Sequence, residues 1–331
     1  MLTTLMKRNT SMPLLMLMVV VAALGVFRFT TGGVVFPPQV QDFLTLGFSV
    51  VLEALPFVIL GVFLSSIFQV LVPVDRVFAV LPKNRLLRRV VLSFVGFLLP
   101  VCECGNVPLA RGMMVKGFTV ADATVFLFSA PVVNPVTLFT TFSVFGWDDG
   151  VLVGRVLGVL VVAHLLGWLF SLHPKAENLL TDRFAAVCAA DDTAHAGGKF
   201  VRFAQSFTDE LGKLLPLLVF GGFVAAGIQV LLPRDVLFSV GQHVVLGLLV
   251  MVVLGVVIAV CSTVDAFFAL TFVGLFLPGS ILVFLIVGPL MDVKMLALLK
   301  STFRFRTVVL MFGVVVSVAL LFGVVVNSVF A

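Results

Sequence analysis

Apolar runs near 20 residues recur along most of the chain, interrupted by short polar stretches and at a few points by proline, glycine and carboxylates. Each run is long enough to cross about 30 Å of hydrocarbon as a helix rising about 1.5 Å per residue. The pattern predicts an all-α polytopic membrane protein, since a transmembrane barrel would show short segments of alternating polarity instead. Full spans are expected near 45–72, 120–145 and 151–171, and again near 207–232, 281–299 and 307–330. Ahead of them, Lys7 and Arg8 precede an apolar run from Pro13 to Phe27. This reads as an extra, uncleaved N-terminal span with a cytosolic N-terminus, although Val21-Ala22-Ala23 would pass as a signal-peptide cleavage site. Residues 30–42 lack Lys and Arg, as expected of an external loop.

The second half of this pattern echoes the first. Pro56, Gly61, Gln69, Pro73, Asp75 and Phe78 recur as Pro216, Gly221, Gln229, Pro233, Asp235 and Phe238 at a constant shift of 160. Val101-Cys102 then lies over Val260-Cys261, and Pro131-Val-Val-Asn134 over Pro289-Leu-Met-Asp292. The chain therefore divides into 1–42 (N-terminal span and external loop), 43–172 (repeat 1), 173–204 (a cytosolic linker of mixed charge) and 205–331 (repeat 2). Duplicated membrane halves point to a transporter whose substrate site lies where the repeats meet.

Loop charges favour inverted rather than parallel halves. Arg76, Lys83, Arg85, Arg88 and Arg89 follow the first long helix of repeat 1, whereas the matching loop 233–243 carries only Arg234. Arg111 and Lys116 follow the cysteine stretch, whereas 266–280 carries only Asp265's neighbourhood and no charge of its own. Trp147-Asp148-Asp149 is acidic, and its counterpart carries Lys300, Arg304 and Arg306. Under the positive-inside rule each contrast reverses the side. Inversion requires an odd number of crossings per repeat, so 90–115 and 244–278 are expected to enter and leave on one side as broken or re-entrant helices.

Candidate chemistry concentrates at those breaks. Pro100-Val-Cys-Glu-Cys-Gly-Asn-Val-Pro108 sets two thiols and a carboxylate between two prolines in an apolar region. Cys102 and Cys104 point about 200° apart on a helix, so they share a ligand only where the backbone is not helical. Repeat symmetry places Cys261 opposite Cys102, and three converging thiolates would suit a soft, thiophilic ion such as trivalent arsenic, Cu(I) or Zn, held transiently. Small buried cysteines also pack without any ligand. Glu103, Asn106, Asp265, Asn134 and Asp292 stand at the breaks and are candidates to face substrate, or else to satisfy freed backbone groups. Glu53, a repeat mate of Lys213, either pairs with it or couples a proton or ion. His164 reads as a packed or backbone-bonded residue.

Composition narrows the class further. The chain is 61% hydrophobic and 11% charged, with a mean hydropathy of +1.26, which leaves no room for a soluble catalytic domain. The net charge of +5 sits in short loops, so nucleic acid is not expected as a partner. Four cysteines do not make a disulfide scaffold, and Cys188 reads as a reduced thiol without a role. There is no phosphate-binding loop for ATP hydrolysis, and no cofactor is expected.

The stretch Pro100–Pro108, with Ser129-Ala-Pro131-Val-Val-Asn134-Pro135, Cys261-Ser-Thr-Val-Asp265 and Gly288-Pro-Leu-Met-Asp292, resembles the bacterial predicted-permease family that includes the ArsP-type organoarsenical efflux permeases. The resemblance covers the chain from about residue 43. It implies a multi-pass permease of the bacterial inner membrane, not an enzyme, with efflux of trivalent organoarsenicals known for some members and metal export for others. It also implies that Cys102, Cys104 and Cys261 contact a small thiophilic substrate, although members vary at Glu103 and Asn106. Some relatives work with a second membrane subunit, so two other readings stand beside export: a subunit of a two-component permease complex, and a membrane thiol redox protein using Cys102 and Cys104.

Overall fold

The computed structural model describes residues 37–71, 78, 81–98, 103–189, 199–231 and 243–330. The N-terminal span expected from Pro13 to Phe27, and Cys102 with its proline Pro100, lie outside the described residues. Within them the chain is all-helical, apart from two isolated β-bridges. Five helical stretches are long and apolar enough to cross a membrane: 38–71, 151–172, 200–230, 278–299 and 305–330. This is a multi-pass membrane protein.

Helix α1 (Pro38–Leu71) starts before the expected span and takes in residues assigned to the external loop. Helix α9 (Lys199–Leu231) likewise begins inside the expected linker. Each keeps its internal proline, Pro56 and Pro216, because packing against the other helix outweighs the lost backbone bond. Phe43 and Phe48 pack on Phe223, with ring centroids 5.6 and 5.3 Å apart. Toward the other end, Phe63 packs on Phe203 and Ser206 donates to Gln69 at 3.2 Å. Rising numbers on α1 meet falling numbers on α9, so these repeat mates run antiparallel.

A second matched pair does the same. In α7 (Val151–Leu172) and α14 (Phe305–Phe330), Gly150 lies against Phe330, Gly154 against Val326 and Gly158 against Phe322. Between these outer pairs sit α5 (Val120–Ser129) and α12 (Pro278–Met291), buried along nearly their whole length. A helix apolar all round belongs in a core, and the 278–299 stretch is 83% buried, the highest share of the five.

The expected span 120–145 is interrupted. Helix α5 ends at Ser129 and α6 (Pro135–Phe145) begins after a five-residue break, so neither piece of 10 or 11 residues spans about 30 Å by itself. Asn134 caps α6 by accepting from the Val136 N–H at 2.9 Å. In the second half the break shortens to Asp292, which caps α13 (Val293–Leu299) by accepting from the Met295 N–H at 2.6 Å. Residues 85–115 form α2 (Arg85–Ser93), α3 (Val95–Leu98) and α4 (Glu103–Val115). Residues 244–272 form α10 (Val244–Val257), a non-helical stretch, α11 (Asp265–Ala269) and a 3-10 turn, Leu270–Phe272. None of these helices is long enough to cross the membrane alone.

From Glu103 the cysteine stretch is helical: α4 starts there and runs through Pro108. Pro108's carbonyl accepts from Ser65 at 2.8 Å, and Gly105 meets Gly61 at a crossing so close that a Cβ on Gly61 would collide with the Gly105 backbone. Several cations read as loop charges are also internal. Arg88 and Arg89 pair with buried Asp122 at 2.7 and 3.4 Å, and Arg111 pairs with Glu210 at 2.5 Å. Local pairing explains these residues without any membrane sidedness. The segment after α7 is docked as well: Thr181 N–H donates to Thr302, Arg304 N–H to Leu179, and Arg304 pairs with Asp182. Helix α8 (Asp182–Ala189) places Phe184 under the Arg111 guanidinium, 4.1 Å from the ring centroid.

Candidate functional site

The first turn of α4 and the break after α10 meet face to face. Glu103 and Cys104 are almost fully buried at the start of α4. Across from them, the chain leaves helical conformation at Ile258, and Cys261 begins a turn in which its carbonyl accepts from the Val264 and Asp265 N–H groups at 3.0 Å. Glu103 Oε2 accepts from Ser262 Oγ at 3.1 Å, from the Ser262 N–H at 3.4 Å and from Cys261 Sγ at 3.8 Å. The cysteine segments of the two halves are therefore in direct contact, held by a carboxylate at the N-terminal end of a helix, where negative charge is favoured.

Lys294 completes this node. It projects from α13, packed on α4, and lies 3.8 Å from Glu103 Oε1 and 3.4 Å from Asp292 Oδ2. Cys104 and Cys261 are also within electrostatic range of its ammonium, and both are free thiols. Asp292 splits its work, capping α13 with one oxygen and facing Lys294 with the other. Glu53, exposed on α1, is turned toward the same node, with Lys294 and Glu103 in electrostatic range and the Cys261 backbone N–H directed at its carboxylate. It does not pair with Lys213 among the described residues. Gly221, in the middle of α9, packs on the Lys294 backbone, so the node lies halfway along the long helices.

The other expected residues divide. Asp265 is bound to Arg155 of α7 at 2.5 Å, and Arg155 also donates to Thr141 at 2.7 Å. Asn134 spends its side-chain oxygen on the α6 cap. Asn106 is fully buried and neither of its amide atoms has a partner, although almost all buried polar groups do. It stands one turn after Glu103 on the same face of α4. It leaves hydrogen-bonding capacity for a polar guest at the node. Among the described residues no three of His, Cys, Asp or Glu are grouped to hold a metal ion. His164 is bonded to the Leu160 carbonyl at 2.9 Å, as a backbone-bonded histidine should be.

Sequence reasoning missed Lys294 and Arg155. A signal for both was present: each is a lone cation inside an otherwise apolar run, where an ionisable residue is costly and marks a functional or paired position. They were invisible because the repeat was read from what the halves share, and neither cation has a charged mate.

Comparison with known proteins agrees with this architecture. The family model ArsP_1, described as a predicted permease, matches residues 39–328. A Streptococcus mutans protein provisionally named a two-component membrane permease complex subunit is 34% identical over 279 residues, covering 84% of this chain and 92% of its own length. UPF0718 protein YcgR of Bacillus subtilis is 32% identical over 279 residues, covering 82% and 92%. UPF0718 protein YraQ of Escherichia coli is 28% identical over 176 residues, about half of each chain. No solved structure matches significantly.

Proposed function

Because the chain belongs to the predicted-permease family, we propose that it moves a small solute across the bacterial inner membrane by alternating access between two inverted halves. The observation that carries this reading is the antiparallel packing of matched helices, α1 on α9 and α7 on α14. Repeats related by an axis along the membrane normal would keep mates parallel, whereas an axis in the membrane plane reverses them. The family points to a transporter rather than an enzyme.

The solute is a thiophilic one, a trivalent arsenical or soft metal, exported with Cys102, Cys104 and Cys261 as transient ligands. Two buried free thiols beside the Glu103–Lys294 node support this, since soft sulfur ligands suit soft acids. Glu103, Asn106 and Asp292 hold the polar part of the solute, while Asp265 and Asn134 fix the breaks. Glu53 is the coupling carboxylate. A sensitivity panel on a deletion strain tests the assignment: Cys102→Ser, Cys104→Ser and Cys261→Ser should each lose resistance at unchanged membrane abundance. Full resistance of the Cys102→Ser/Cys104→Ser double variant would refute it. Inversion is tested separately by labelling Asp148→Cys and Arg306→Cys, both at exposed sites, which should react from opposite sides of the membrane; reaction from one side sinks it.

The name of the Streptococcus mutans relative favours a second reading, in which this chain works with another membrane subunit. Transport by the purified chain alone in vesicles would exclude it.

A further inference from the structure

A cavity of about 520 Å³ lies beside the node, between α1, α9, the end of α10 and the Phe268–Phe276 segment. Its volume is that of a small-molecule site. Its wall is mostly apolar, with Ser49, Gln229 and Thr271 as neutral polar points and Glu53 as the one charged side chain. Ser49 and Glu53 are one turn apart on α1, so their polar ends share a face. Phe268, Phe272 and Phe276, also in the lining, form a continuous aromatic run, with successive centroids 5.6 and 5.9 Å apart in edge-to-face contacts. Phe284 of α12 braces it from behind, 6.0 Å from Phe268 and 5.7 Å from Phe272.

The charge around the cavity has a definite sign. Glu53, Glu103 and Asp292 are set against one ammonium, Lys294, which leaves a formal excess of negative charge. Arg155 and Asp265 cancel each other. Lys294 is committed between Glu103 and Asp292, away from the lining, so Glu53 is the member of the group that a guest would meet.

We propose that this cavity is a binding site for small organic cations that carry an apolar or aromatic body. A carboxylate and a run of phenylalanine rings in one lining are the two features that recognise such cations, through charge and through the ring quadrupole. A neutral lipid tail would use the apolar wall alone and gain nothing from Glu53. The site is separate from the thiol assignment, since no cysteine lines it.

The test uses the full chain purified in lipid nanodiscs and radiolabelled benzyltrimethylammonium as probe. Saturable binding is expected, with the neutral carbon isostere neopentylbenzene competing at least tenfold more weakly. Glu53→Gln should weaken binding about tenfold and Phe272→Leu several-fold, whereas Gly313→Ala, in open space on α14, should leave the affinity unchanged. Equal competition by the neutral isostere would identify an apolar lipid-filled cleft and overturn the proposal. Undiminished binding by Glu53→Gln, in protein that elutes as the wild type does, would overturn it too. Failure of the cysteine variants to alter arsenical or metal resistance would leave this result standing, so the two readings fall separately.

Discussion

Arg155→Met offers a sharp test of how the two halves are joined. Arg155 belongs to the first half and Asp265 to the second, and both side chains are nearly inaccessible, at 1% and 4%. Their contact is 2.5 Å, and the guanidinium has one further partner, Thr141 at 2.7 Å. Removing the guanidinium strands a carboxylate in an apolar interior, where breaking a buried pair costs about 3–5 kcal/mol. Asp265→Asn strands the cation and should cost a similar amount. The double variant Arg155→Met/Asp265→Asn removes both charges and should recover most of the loss, giving a coupling energy of at least about 2 kcal/mol. The protein carries its own reporters, because Cys104 and Cys261 are buried free thiols whose exposure on unfolding raises labelling by a thiol-specific fluorophore above the folded-state baseline. Thermal ramps in detergent should show both single variants melting at least several degrees below wild type, with the double variant between. Additive losses, or an unchanged melting point for Arg155→Met, would show that Asp265 is not held by Arg155.

Three further outcomes follow from other parts of the molecule. Lys294→Met leaves Glu103 and Asp292 facing each other without a cation and should fall in membrane abundance, with partial recovery on adding Glu103→Gln; immunoblots of membranes would show whether it does. Gly279→Ala drives a Cβ into the Gly323 backbone and should destabilise by about 1–3 kcal/mol, whereas Gly313→Ala, with open space around it, should be neutral or slightly stabilising in the same thermal assay. Burial pushes the Cys188 thiol up to about 11 despite nearby Arg111, so at pH 8 it should react with maleimide roughly a hundredfold more slowly than in denatured protein, and equal rates would contradict the docking of α8. The sign is that of an acid whose folded value exceeds its unfolded one: its contribution is intact below about pH 9 and is lost as pH rises through about 11.

The sequence made the class legible because long apolar runs leave a compositional mark. Asn134 and Asp292 were found as repeat mates at a second break, and both cap the helix that follows. Cys261 was placed opposite the Pro100–Pro108 stretch, and it does touch Glu103. Local backbone geometry was less legible. Pro108 and Gly105 suggested an irregular segment, yet tertiary packing of α4 against Ser65 and Gly61 holds them in a helix. The charges misled for a related reason. Arg89 and Arg111 sit in short helices beside polar stretches, where a loop cation and a buried ion pair look identical in one dimension. Their carboxylate partners, Asp122 and Glu210, lie 33 and 99 residues away, and no short-range pattern connects them.

These pairs also constrain how the halves can move. Three of them cross between the halves: Arg111 with Glu210, Arg155 with Asp265, and Lys294 with Glu103. Breaking even two buried pairs would cost roughly 6–10 kcal/mol, more than the about 5.5 kcal/mol by which a ligand turns a 1:99 equilibrium into 99:1. Solute binding therefore cannot drive a motion that opens all three, and the segments joined by Arg111 and Arg155, each bound to a single carboxylate, must travel together. Lys294 is different. It stands between two acceptors, at 3.8 Å from Glu103 in one half and 3.4 Å from Asp292 in its own. It can release the first while keeping the second, so its charge is never left uncompensated as α4 and α13 separate. Of the three crossings this is the one that can part cheaply, and it is the one beside the thiols and the unpartnered Asn106.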